Sequence, residues 1–159
     1  MTSVSTAAIA DEATDGAAHE RRARRIVVFR VDGRSYALEI DTVSEIIPWR
    51  KATRLPGAPP WVAGLINVRG SILTVIDLGV RLGGQPTGHE FASVLMADYE
   101  GKRVGLAVDE VLDVHDMSTE TEAAGADVRP DGPVRALLQL EEQVIVLLDI
   151  EALIRQVLI

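Results

Sequence analysis

Asp109, Asp113, His115 and Asp116 are the densest set of residues able to do chemistry in this 159-residue chain. Carboxylates and an imidazole at such spacing could ligate a divalent metal or move a proton. In an extended strand Asp113 and His115 project from one face, as such a site requires. Any half-buried strand, however, gathers its polar side chains on the wet face, and that explains the cluster without a ligand. His19 and His89 have no ligand-like neighbours. Gly79, Gly83, Gly84 and Gly88 do not space as a phosphate loop, and no Gly-Lys-Ser/Thr follows a strand. With no cysteine, thiolate metal sites, thiol nucleophiles and disulfides are excluded. Nucleophile elbows and calcium loops are missing too. The expectation is a chain that is not an enzyme and uses no metal or cofactor.

Gly64 to Leu78 offers a different kind of chemistry. Asn67, Arg69 and Gly70 sit between two apolar runs, Leu65-Ile66 and Ile72 to Leu78. Val, Ile and Thr dominate the flanks, so they read as strands, and Gly70-Ser71 signals the turn. Arg69 is thereby held at a hairpin tip with its guanidinium outward, a presented contact residue. Asn67 suits a side chain–backbone bond that holds the turn. Trp49 and Trp61 precede this turn in a proline-rich loop. Each either closes a barrel end or anchors an interface, and Trp49, among Arg50, Lys51 and Arg54, leans towards the surface.

The elements that position these residues are mostly strands. Ile26 to Val31 and Ser35 to Ile40 flank an Asp32-Gly33 hairpin turn. Val43 to Ile47 is extended and stops at Pro48, and Pro56, Pro59 and Pro60 exclude a helix after it. Leu65–Val68 and Ser71–Ile76 are strands, with one or two helical turns at Asp77 to Leu82 ended by Gly83-Gly84. A second series follows: Ala92–Asp98, Arg103–Val108, Val111–Met117, then Val134–Leu140 and Val144–Leu148 around a loop at 118–132. Ile150, Leu153, Ile154, Val157 and Leu158 recur at helical spacing, giving an amphipathic C-terminal helix. Short strands with one terminal helix fit paired small barrels better than a βαβ enzyme.

Residues 1–20 are rich in Ala, Thr, Ser and acids and read as a disordered leader. No apolar run approaches the roughly 18 residues of a membrane span, and no signal peptide is evident, so the expected location is the cytoplasm. The net charge of −8 argues against general nucleic-acid binding. From Val43 to Leu82 the chain is mildly basic, whereas Asp109 to Glu142 is strongly acidic. Opposite signs on two regions keep both faces solvated, or fix register with different partners.

The ordered phrases Tyr36-Ala37-Leu38-Glu39-Ile40, Val43-Ser44-Glu45-Ile46-Ile47, Leu55-Pro56-Gly57-Ala58-Pro59, Gly64-Leu65-Ile66-Asn67-Val68-Arg69-Gly70 and Val75-Ile76-Asp77-Leu78 resemble the CheW family of chemotaxis coupling proteins. Val104 to Val111 and Val146-Leu147-Leu148-Asp149 continue the resemblance, which covers residues 26–159. It implies a mainly β, CheW-like fold of two intertwined five-stranded SH3-like β-barrels with a C-terminal helix. The expected divisions are a leader at 1–25, a first barrel mainly at 26–80, a second mainly at 90–145, and the helix at 150–159. The resemblance implies a non-catalytic adaptor that joins the cytoplasmic tips of chemoreceptors to the regulatory domain of a CheA-type histidine kinase, at membrane-associated arrays. Other CheW-like domains in array rings are further implied partners, and an adaptor for a pilus-motility or other chemosensory pathway is the alternative. Carried over by position, Val43, Gly64 and Val114 fall near the receptor groove, and Glu45, Ile46, Arg69 and Gly70 on the kinase or array surface.

Overall fold

The computed structural model describes residues 25–88, 90–116, 122–123 and 132–158. The expected leader lies outside the described residues, except for Arg25, which already belongs to a strand. Most of the expected loop at 118–132 lies outside them as well, but Glu122–Ala123 within it form a short strand, because they pair with Leu138 and Leu137.

Strand β1 (Arg25–Val31) and β2 (Arg34–Glu39) form a hairpin. Its turn, Asp32-Gly33, has φ of 51° and 79°, the two positive values that a tight two-residue hairpin needs. A 3₁₀ turn at Ile40–Thr42 leads into β3 (Val43–Pro48). β4 (Val62–Val68) and β5 (Ser71–Asp77) are the next hairpin, followed by the single-turn helix α1 (Leu78–Arg81). Then come β6 (Ser93–Tyr99), β7 (Lys102–Val108), β8 (Glu110–Asp116), the two-residue β9 (Glu122–Ala123), β10 (Val134–Leu140) and β11 (Gln143–Leu148). Helix α2 (Ile150–Leu158) ends the described chain. β4 starts three residues before the expected Leu65, because Val62 already pairs with Ile76 ahead of a bulge at Ala63-Gly64.

The strands fall into two sheets, ordered β8-β1-β2-β11-β10-β9 and β3-β6-β7-β5-β4. Sheet membership therefore does not follow the expected division at 26–80 and 90–145. β1 and β2 leave their sequence neighbours and join the C-terminal strands, β2 pairing with β11 in parallel. The physical reason lies in β1, an apolar run buried on both faces. A strand with two wet-averse faces needs cover on each side, and here Ile26 and Val28 face the core of the first sheet while Val27 and Phe29 face the core shared with the second.

Three cores result. Ile26, Val28, Ala37, Leu138, Ile145 and Leu147 pack inside the first sheet. Ile47, Ile66, Val68, Leu73, Val75, Val94 and Met96 fill the second. Between them a shared core joins Val27, Phe29 and Leu38 of the first sheet to Ile76, Leu95, Leu106 and Val108 of the second. α2 seals the seam: Leu153 enters the shared core, and Ile154 packs on Ala97 and Val104. Its N-terminus is capped by Asp149, whose Oδ1 accepts from Glu151 N at 3.0 Å and Ala152 N at 3.3 Å.

The second sheet closes on itself where Thr53, beyond β3, exchanges two 2.8 Å backbone bonds with Leu65 of β4. Asp77 holds the end of this barrel together. Its carboxylate is buried and accepts from Val80 N at 3.2 Å, Thr87 N at 3.0 Å and Thr87 Oγ1 at 2.9 Å. One side chain thus caps α1 and pins the following loop. Asp77→Ala leaves those donors without their acceptor, and is expected to cost about 2 kcal/mol. A urea titration checks this: the midpoint falls while the slope stays the same.

Candidate functional site

The β4–β5 turn is centred one residue earlier than the sequence signal suggests. Val68 pairs with Ser71, so the two central residues are Arg69 and Gly70, with φ of 50° and 89°. A left-handed arginine carries a steric cost that glycine avoids, and neighbouring side chains hold it there. Asn67 Oδ1 accepts from Gly70 N at 2.9 Å, as expected of an asparagine that braces a turn. Arg50 Nη1 donates to Asn67 O at 3.0 Å from the other side. The Arg69 guanidinium folds across the barrel mouth onto the Glu45 carboxylate at the start of β3.

Glu45, Arg69 and Gly70 are thus brought together, and Ile46 adjoins them. Glu45 lies on the side of β3 that carries the buried Ile47, whereas Ile46 points outward, 41% exposed. Beside the turn, Ile72 is 62% exposed and borders Ser71, Asp98, Gly101 and Arg103. Arg103 Nε is bonded to Asp98 Oδ1 at 2.9 Å. Arg103 also adds positive charge near Glu45 and Arg69. Ile72 and Arg103 therefore belong to the same surface, yet sequence reading missed both. An exposed Ile in an apolar strand looks like core, and the parallel pairing of β5 with β7 that brings Arg103 alongside has no local signal.

The hydrogen bond from Arg69 holds the Glu45 carboxyl below the usual carboxylate range. The same bond pushes the Arg69 guanidinium above its ordinary value. A carboxylate with a depressed folded-state pKa contributes its stabilisation at pH above its unfolded value. That contribution is lost as pH falls through the folded value. An NMR titration of the Glu45 side-chain carboxyl is expected to give a lower midpoint in the natural chain than in Arg69→Ala. Equal midpoints would mean that the pair does not persist in solution.

The three groove candidates are not equivalent. Val43 opens β3 and packs, half-buried, on the shared core, and Val111 of β8 borders the same core. Both sheets therefore reach the seam. Val114, three residues on, is 39% exposed on β8, an edge strand bulged at Leu112. Gly64 is buried at the bulge of β4 with φ of 143°, and a Cβ there would overlap the Thr53 carbonyl oxygen. Gly64 therefore shapes the barrel and presents no side-chain surface.

The acidic candidates do not assemble a metal centre. Asp113 and His115 approach at 3.5 Å on the exposed face of β8. Asp109 faces elsewhere, its Oδ2 accepting from Asp32 N at 2.7 Å and bracing the first hairpin turn. Asp116 pairs with Arg25. Among the described residues no three His, Asp or Glu converge as metal ligands. Trp49, expected towards the surface, packs half-buried on the second barrel's core, and Trp61 packs on the shared core.

The model of the CheW-like domain matches residues 25–158. The chain belongs to the CheW-like domain family. A probable chemotaxis protein CheW of Rhizobium etli is 33% identical over 134 residues, spanning 82% of this chain and 86% of that protein. The chemotaxis protein CheW of Bacillus subtilis is 31% identical with the same two coverages. The crystal structure of the scaffolding protein TtCheW from Thermoanaerobacter tengcongensis superposes with a TM-score of 0.74 at 26% identity, covering 82% of this chain and 86% of that one. The two packed sheets, five strands in one and five plus the two-residue β9 in the other, are thus the CheW-like fold. Among the described residues no helix is long and apolar enough to cross a membrane.

Proposed function

We propose that this CheW-like chain is a non-catalytic scaffold of chemotaxis, coupling the cytoplasmic tips of chemoreceptors to the regulatory domain of a CheA-type histidine kinase. The observation that carries the reading is the Arg69 turn. It is a rigid tip on a closed barrel, ringed by Glu45, Ile46 and Ile72, and no metal-ligand set forms there among the described residues. Charged residues around exposed isoleucines are the makings of a protein contact: the apolar groups supply affinity and the charges fix register. On this reading Glu45, Ile46, Arg69 and Gly70 face the kinase or a neighbouring CheW-like domain. The seam bordered by Val43, with Val114 on its far flank, takes the apolar face of a helical receptor tip. The scaffold acts by raising effective concentration and fixing geometry, in the cytoplasm at membrane-associated receptor arrays.

Reconstitution tests the proposal. The purified chain is expected to bind both a receptor-tip fragment and the kinase regulatory domain, and to raise kinase autophosphorylation when receptor is present. If it binds neither partner at concentrations on the order of tens of micromolar, the coupling role fails.

A further inference from the structure

A second presented arginine lies at the other end of the Arg69 barrel. β4 runs from Val62, next to Trp61, to Val68, next to Arg69, so the two ends are separated by about 20 Å. At the far end the Arg81 guanidinium carbon lies over the Trp61 ring, 5.8 Å from its centroid, within cation–π range. Arg81 Nε is buried with no acceptor, and so is Trp61 Nε1.

No carboxylate among the described residues pairs with Arg81. Its natural partner by helical spacing is Asp77, at i−4, but the Asp77 oxygens are taken by Val80 and Thr87. Burial alone pulls the Arg81 guanidinium below its ordinary value, with no neighbouring acid to raise it again. Arg69 and Arg103 contrast with it, since each is held by a carboxylate that raises it. Arg81 is thus partly desolvated, held over an aromatic ring and buried at its Nε. Its Nη atoms are not among the buried unpartnered ones and have no hydrogen bond to a described residue.

We infer that Arg81, held over the Trp61 ring, is a binding site for a carboxylate, supplied by a glutamate or aspartate side chain of a protein partner. Arginine's planar fork matches a carboxylate bidentately, and stacking against an aromatic ring pre-orients it. Half-buried Trp and Arg are also the residue types that dominate protein interfaces. A side chain fits better than a free anion, because a single guanidinium gives a small acid few other contacts, whereas a partner brings its own. This site is separate from the Arg69 surface and does not depend on which face the kinase uses.

The site is tested on the full-length chain by NMR, with acetate as the probe. The Trp61 indole N–H and Arg81 Nε–H resonances are expected to shift saturably with sodium acetate and not with sodium chloride at matched ionic strength. Arg81→Gln should abolish the Trp61 shift, and Arg81→Lys, which keeps the charge but not the fork, should weaken it. No acetate-specific shift in the natural chain would overturn the carboxylate site, whether or not the coupling role holds. The source is tested by titrating receptor tip and kinase regulatory domain separately against natural and Arg81→Gln chains of equal melting temperature. A loss of about tenfold or more for either one identifies the partner bearing the acid. Unchanged affinity for both, with the acetate shift present, would overturn the assignment to a partner side chain.

Discussion

Gly64→Ala is expected to destabilise the fold by about 3 kcal/mol, the sum of a strained left-handed backbone and an overpacked contact. For a chain of this size that lowers the melting temperature by about 10 °C. The cause is local. At φ of 143° an L side chain is strained, and the new Cβ would meet the Thr53 carbonyl oxygen. That oxygen accepts the 2.8 Å bond from Leu65 N that closes the barrel, so relief by shifting Thr53 opens the closure. Gly57→Ala supplies the control. Its φ of 82° is also left-handed, but nothing lies within 4 Å of the added Cβ, and the expected cost is only about 1 kcal/mol. Differential scanning calorimetry of the two variants separates overlap from backbone strain. A Gly64→Ala chain that melts normally yet fails to bind receptor would instead make Gly64 a direct groove residue.

Gly64 also marks the boundary of what the sequence makes legible. Local patterns give both helices and every described strand but β9, since alternation, the Asp32-Gly33 turn and apolar spacing are short-range signals, whereas two residues carry no period. They give Arg69 at a hairpin tip braced by Asn67 for the same reason. What they do not give is pairing. The parallel ladders β2–β11 and β5–β7 join segments far apart in the chain, and these decide that β1 and β2 belong with the C-terminal strands. Glu45 meeting Arg69 and Ile72 meeting Arg103 are consequences of those ladders and of barrel closure. Family resemblance puts Gly64 near a groove, and only the Thr53 bridge explains why a glycine stands there. Asp77, part of the Val-Ile-Asp-Leu phrase, is likewise explained by Thr87, ten residues on.

Arg69→Ala is expected to fold normally and to weaken kinase-domain binding by about tenfold or more. Exposed ion pairs contribute little to folding, so the melting temperature should stay within about 2 °C. The loss has two possible origins with different consequences. Arg69 either touches the partner directly, or holds the tip in shape by bonding Glu45. Charge exchange separates them. Arg69→Glu alone places two carboxylates together, loosens the tip and should abolish binding. Adding Glu45→Arg restores an opposite-charge pair across the barrel mouth with its direction reversed. If the pair only shapes the tip, isothermal titration of the doubly exchanged chain recovers most of the natural affinity. If the partner reads the cation at the turn, affinity stays low although the tip is re-formed. Direct contact is the expected result, because the Arg69 side chain is 68% exposed while bonded to Glu45, and a guanidinium has five donors, more than one carboxylate takes up. Kinase activation in the reconstituted complex should fall in parallel with affinity. Full activation by the Arg69→Ala chain would remove the turn from the coupling surface.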